Sequence, residues 1–282
     1  MDFSDFPALS EYYSGSEKKI GILVDGARYI LKFQSRDEFG CPYNHVSEHL
    51  GSTIFGMLGF EAQSTMLGTY RGENVVACKV FTDQDNQFVP FHDVGDSSLE
   101  LAGRREPYTY DGIMALLQRN RKLTDLEGTV DQFWNMYVVD GLLGNFDRHG
   151  SNWGFLKTDN RYRMAPVFDN GSCLYPRMAD ESLMETVIGS QEETEQRIFR
   201  YPDSQIRLDG GRSSYHEVIG SMGFEECNDA VLRICPRVSL ERIGELVDSV
   251  RCISDIHRRF YKHMIRSRYQ RILLETYERL CR

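Results

Sequence analysis

The stretch Gly144-Asn-Phe-Asp-Arg-His-Gly-Ser-Asn152, followed by Phe168-Asp-Asn-Gly171, constrains this chain more than any other. Trp134, Tyr137, Val138, Leu142 and Leu143 precede it at helical spacing, and Gly144 is a natural helix stop. The loop then presents Asp147 and, five residues on, Asn152. Strands are expected over residues 152–156 and 163–168, around a turn at Thr158-Asp-Asn160. Such a hairpin returns Asp169 to the sheet edge from which Asn152 leaves, beside Asp147.

Two carboxylates and an amide gathered in this way suit phosphoryl transfer. One carboxylate accepts the proton of a hydroxyl, while oxygen ligands fix Mg²⁺ across the phosphates. Mg²⁺ prefers hard oxygens and takes only one or two carboxylates from a protein. Asp147 is therefore the candidate base, and Asn152 and Asp169 are the candidate metal ligands. The Asp-x₄-Asn spacing is that of the protein-kinase catalytic loop, and an Asp-x-Gly after a strand echoes its metal-binding Asp. Taken singly, an Asp after a helix end is more often a turn or cap residue; the joint pattern carries the reading.

The first third supplies what such chemistry still needs. Residues 19–24 and 27–33 read as strands joined at Asp25-Gly26, a strong hairpin signal. A helix is expected from Asn44 to Leu58, with Val46, Leu50, Ile54 and Leu58 every fourth residue and Gly59 as its stop. Two more strands, 64–70 and 74–81, flank a turn at Arg71-Gly72-Glu73. Lys32 alternates with apolar neighbours on its strand, within reach of the α- and β-phosphates of ATP, and Glu48 on the helix is its expected ion-pair partner. The loop carrying Ser14, Gly15 and Ser16 has backbone N–H groups suited to covering phosphates. Val80 and Phe81, at the end of the last strand, are expected against adenine. Beyond Thr82 a polar connector gives way to helical patterns at 112–120, 130–143, 224–235, 240–254 and 257–280. The fold class is α+β, with a small β-rich lobe over 1–81 and a larger, mainly helical lobe over 82–282.

Asn145-Phe-Asp-Arg-His-Gly-Ser-Asn152 with Val167-Phe-Asp169 resembles the N-x-D-R-H-x-x-N and Y/F-D elements of HipA-like serine/threonine kinases. Tyr29-Ile-Leu-Lys32 and the helix of Ser47-Glu48 sit where that family has its ATP lysine and glutamate. The resemblance implies a bilobal protein-kinase-like fold, ATP and Mg²⁺ as cofactors, and a protein serine or threonine as acceptor, the chain itself included. It also implies that loop serines are autophosphorylated, which shuts the ATP site; Ser14 and Ser16 are the positions available. The resemblance is expected to be to compact members without the extra N-terminal HipA subdomain, which leaves an antitoxin-like partner open.

Other classes fit less well. A lipid or small-molecule kinase sharing the D-R-H-x-x-N loop is the nearest alternative, and a nucleotide-binding pseudokinase the next. His45-Val-Ser-Glu-His49 matches the H-x-x-E-H zinc-peptidase pattern, but it has no third ligand and leaves Lys32, Asp147 and Asp169 unexplained. No G-x-x-x-x-G-K-[ST] loop occurs. With 33 basic and 42 acidic residues, a net charge of −9, no basic surface for nucleic acid is expected. No apolar run is long enough to cross a bilayer, so no membrane partner is expected. The seven scattered cysteines form no C-x-x-C pair, which together with an acidic N-terminus points to the cytoplasm. Asn170-Gly-Ser reads as a chance glycosylation sequon. Arg148 and His149 either bind phosphate or brace the loop by hydrogen bonds, and bracing is expected of His149. Arg258, Arg259, Lys262, Arg266 and Arg268 read as a solvated face. Residues 172–204 are consistent with either an ordered activation segment or a lid.

Overall fold

The structure, a computed structural model, describes residues 1–10, 18–35, 40–94 and 108–282. Its first hairpin follows from turn chemistry. Asp25 (φ 47°) and Gly26 (φ 79°) both take left-handed backbone, the conformation a two-residue turn needs to match strand twist. This pairs strand β2, Lys19–Val24, with β3, Ala27–Phe33. Arg71 and Gly72 do the same (φ 50° and 78°), joining β4, Thr65–Tyr70, to β5, Glu73–Lys79. The turn is thus two residues, and Glu73 already belongs to a strand. With the short β1, Ala8–Leu9, these make an antiparallel sheet in the order β1-β2-β3-β5-β4.

Helix α1, Asn44–Met57, buries Val46, Leu50, Ile54 and Phe55, and with them the polar Asn44, His45, Ser47, Glu48 and Ser52. A helix buried on its polar side as well is packed from two directions. Its apolar residues join the large core of the C-terminal part, whereas Ile22, Leu31, Phe33, Tyr70 and Val75 form a separate small core on the sheet.

The chain leaves the sheet at Lys79 and crosses a turn in which Asp83 Oδ1 accepts from the Asp85 and Asn86 backbone N–H groups. It then forms β6, Gln87–Pro90, which pairs with β7, Gly154–Thr158; β7 pairs with β8, Arg161–Met164. β6 was not expected from the sequence. It is a four-residue edge strand set by its partner rather than by its own alternation.

Helix α2 is Tyr110–Arg119, and α3 is Leu126–Leu143. The α3 start is capped by Asp125, whose side chain accepts from Gly128 N, and its end is capped by Gly144 at φ 65°. The interval 172–204 holds two helices, α4 at Glu181–Gly189 and α5 at Gln191–Phe199, capped by Asp180 and Ser190. A hairpin follows, β9 at Asp203–Leu208 with β10 at Gly211–Ser214. Then come α6, Tyr215–Ser221; α7, Glu225–Ile234; α8, Leu240–Ser249; and α9, Asp255–Arg268. The chain continues through a π-helical stretch, Tyr269–Leu274, into α10, Glu275–Leu280. The expected helix over 240–254 is therefore shorter, because Ser254 caps α9 instead.

One expectation is overturned here. Arg268 is 1 % exposed, not on a solvated face. Its Nε donates to Gly141 O (2.7 Å) and its Nη1 to Arg197 O (2.7 Å), tying α9 to the end of α3.

Candidate active site

Three tertiary contacts gather the chemistry. Lys32 Nζ lies 2.7 Å from Glu48 Oε2 and 2.8 Å from Asp169 Oδ1. Glu48 Oε1 in turn accepts from the Asn170 backbone N–H at 3.0 Å, so one carboxylate fixes both the lysine and the turn after Phe168. Asp169 sits at φ 58°, a conformation Asp tolerates better than most side chains. Strand β8 stops at Met164, so Asp169 comes from this turn and not from the strand itself.

α1 meets that turn at close range. A Cβ at Gly51 would lie 2.6 Å from Asn170 Cβ. Asn170 is fully buried, donates from Nδ2 to Ser52 Oγ (2.9 Å) and accepts at Oδ1 from Arg148 Nη2 (2.6 Å). The sequon is thus sealed inside the protein.

Arg148 is the brace of the loop. Its Nε and Nη2 donate to the two oxygens of buried Asp140 (2.9 and 3.0 Å). Its Nη1 donates to Asn152 O (3.0 Å) and to Phe168 O. Asn145, also fully buried, donates from Nδ2 to Asp140 Oδ1 (2.9 Å) and accepts from Asp147 N (3.0 Å). Asp140 is not singled out from the sequence, and Asn170 reads there only as a chance sequon. A carboxylate inside the run Val138-Val139-Asp140-Gly141-Leu142 was a usable signal, since a charge buried on a helix needs a partner.

Asp147 is half-buried. Burial pushes its carboxyl above the ordinary value; His149 and Arg148 oppose this and Asp169 adds to it. His149 Nε2 stands 3.9 Å from Asp147 Oδ2, and its Nδ1 accepts from Ser151 N, a local bracing bond. Asn152 Nδ2 donates to Asp147 O at 2.8 Å, committing the amide nitrogen and orienting the amide oxygen away from that bond. Burial also works to raise Asp169, but Lys32, with Arg148 beyond it, outweighs this and holds the carboxyl below the usual range. Burial works against the Lys32 charge too, yet Asp169 and Glu48 hold the ammonium well above its ordinary value.

Lys32, Glu48, Asp147, Asn152 and Asp169 share the walls of one cleft of about 570 Å³, a volume typical of small-molecule sites. Val76, Phe88, Pro90 and Phe168 supply its apolar side. Val80 and Phe81 are not among the lining residues. Val80 N donates to Arg28 O (2.9 Å), and the Phe81 ring backs Phe88 and Phe168 with centroids 6.0 and 5.5 Å away. Ser14, Gly15 and Ser16 lie outside the described residues.

The zinc-peptidase pattern dissolves in this geometry. Glu48 is bound to Lys32 and Asn170, and His49 Nδ1 pairs with Thr65 Oγ1 at 3.0 Å. Among the described residues no group of three His, Cys, Asp or Glu is placed to share a metal ion.

Comparison with known proteins bears on the family and the fold. Residues 12–235 match the HipA-like C-terminal domain family. The chain is 33 % identical over 262 residues to the serine/threonine-protein kinase CtkA of Helicobacter pylori (strain J99 / ATCC 700824), covering 90 % of this chain and 80 % of that one. The crystal structure of a Helicobacter pylori proinflammatory kinase CtkA superposes with a TM-score of 0.92 at 31 % identity, over 100 % of this chain and 97 % of its own. HipA of Shewanella oneidensis MR-1, solved with HipB and operator DNA, shares the fold at a TM-score of 0.61 and 14 % identity, over 96 % of this chain and 67 % of its own. On the span of the family match and the identity to CtkA, the chain belongs to the HipA-like C-terminal domain family.

Proposed function

We propose that this HipA-like serine/threonine kinase binds ATP with Mg²⁺ in the cleft and transfers the γ-phosphoryl group to a protein hydroxyl, with Asp147 as the base. The observation that carries the assignment is Lys32, held between Glu48 and Asp169 at 2.7 and 2.8 Å in the cleft that also holds Asp147. In this reading Lys32 neutralises charge on the phosphates and Glu48 keeps it in place. Asp147 orients the acceptor hydroxyl and takes its proton. A carboxyl made more basic by burial is better suited to that task than a solvated one.

Asn152 and Asp169 are assigned to hold the metal. An amide oxygen and a carboxylate are the donors Mg²⁺ accepts, with phosphate and water filling the remaining positions. When bound, Mg²⁺ neutralises charge developing on the phosphates. Val80 and Phe81 are retained on the adenine side, where the Phe81 ring backs Phe88 and Phe168.

The acceptor we assign is a protein serine or threonine, with Ser14 and Ser16 of this chain as candidates in cis. A net charge of −9 favours protein over nucleic acid as the partner. All seven cysteines are free thiols, in keeping with the reducing cytoplasm. No described helix is long and apolar enough to cross a membrane.

The test is transfer from γ-labelled ATP with Mg²⁺ by the wild type and by Asp147→Asn. The variant should lose about 10²- to 10⁴-fold in turnover while still binding an ATP analogue. Equal labelling by both would remove Asp147 from the mechanism, and mapping the label tests Ser14 and Ser16.

A further inference from the structure

β9 brings a second group onto the base. Gln205 Nε2 donates to Phe146 O at 2.8 Å and to Asp147 Oδ1 at 3.3 Å. Its Oε1 accepts from Arg212 Nη2 of β10 at 3.1 Å. An amide whose oxygen faces a guanidinium is polarised, and its N–H groups become stronger donors. The strand beneath is firmly seated. Ser204 and Ile206 alternate with Gln205 into the interior, and Arg207 N donates to Tyr108 O at 2.9 Å. Tyr215, one residue past β10, donates from its hydroxyl to Asn145 O at 2.7 Å and so ties the hairpin to the loop carrying Asp147.

We infer that Gln205 is a positioning residue for phosphoryl transfer: its amide holds Asp147 Oδ1, leaving Oδ2 to face the acceptor hydroxyl, and Arg212 holds the amide. The inference rests on Asp147 being the base. One Asp147 oxygen is thereby fixed before the acceptor arrives, and the carboxylate loses the rotation about its last bond. Gln205 itself touches no reacting atom, and neither it nor Arg212 lines the nucleotide cleft. Its effect therefore belongs to turnover and not to ATP affinity.

The isosteric variant Gln205→Glu separates positioning from mere packing. It keeps the shape and the pairing with Arg212 but cannot donate to Asp147 when ionised. Turnover with γ-labelled ATP and Mg²⁺, read as label on protein and as free phosphate, should fall about tenfold or more in Gln205→Glu and Gln205→Leu. The KM for ATP should stay within about twofold, the signature of an interaction made on the way to the transition state. Arg212→Ala should fall less, in the same direction. Wild-type turnover in Gln205→Glu, beside an inactive Asp147→Asn, overturns the inference. A fall in turnover matched by a raised ATP KM and a lowered melting temperature overturns it as well, because Gln205 would then be structural. An active Asp147→Asn instead sinks the reading of the base, a distinguishable failure. The Gln205 side-chain amide resonance reads the bond without turnover. It should move in both Asp147→Asn and Arg212→Ala, and a resonance insensitive to both counts against the contact.

Discussion

Arg148 commits all three guanidinium nitrogens, to Asp140 on α3, to Asn152 in the loop, and to Phe168 and Asn170 around the Asp169 turn. The side chains of Arg148 and Asp140 are 3 % and 1 % exposed. A buried pair of this kind adds little stability over a well-packed apolar pair, but removing one partner strands the other charge. Arg148→Met should therefore destabilise by about 3–5 kcal/mol in denaturant melts. The double variant Asp140→Leu, Arg148→Met should recover part of that loss, and the double-mutant cycle measures how much. Neither should transfer phosphate, since the Asn152 and Phe168 carbonyls lose their common donor. Full additivity of the two single changes would mean that the pair acts independently and that the bracing role is wrong.

At the scale of elements, α1 sets the distance between the strand of Lys32 and the turn that carries Asp169. Glu48 reaches both, and Gly51 lets the helix approach Asn170 closely. In a solvated helix Gly51→Ala would be worth about 1 kcal/mol through helix propensity. Here the added Cβ forces α1 away from the turn, so the variant should gain no stability and should bind ATP more weakly, seen as a raised KM. A stabilised variant with an unchanged KM would show that this approach has no bearing on the site.

At the scale of the whole molecule, two histidines sealed against other elements make stability acid-sensitive. Burial lowers both His45 and His257 from 6.5 to about 4. Both are held neutral in the fold, whereas the unfolded chain protonates them near 6.5. The unfolded state then binds more protons between those values, so stability is full above about pH 6.5 and is lost as pH falls toward 4. Each contributes about 3 kcal/mol across that interval. Melts at pH 7, 6 and 5 should show the decline, and His45→Phe should flatten it. An equally steep decline in the variant would place the acid sensitivity elsewhere.

Local signals carried a large part of this architecture. Turn residues at Asp25-Gly26 and the four-residue period of α1 place elements through contacts a few residues apart. The Asp147–Asn152 spacing and the alternation around Lys32 likewise depend only on backbone geometry, and they made the chemistry legible in the chain. Short elements were not legible. β6 is a four-residue edge strand, and α4 and α5, nine residues each, are too short to stand alone; they persist through packing, with Met184, Val187 and Ile198 seated in the core. Arg268 reads as surface by composition, and only the neighbouring Gly141 and Arg197 carbonyls make its burial tolerable. The sequence by itself determined which residue types are available for the proposed phosphoryl transfer. Only the tertiary structure decided their partners: Lys32 with Asp169 across 137 residues, Glu48 with Asn170 across 122, and Gln205 with Asp147 across 58. Such pairings depend on how sheets and helices stack, and no periodicity along the chain encodes a contact at that separation.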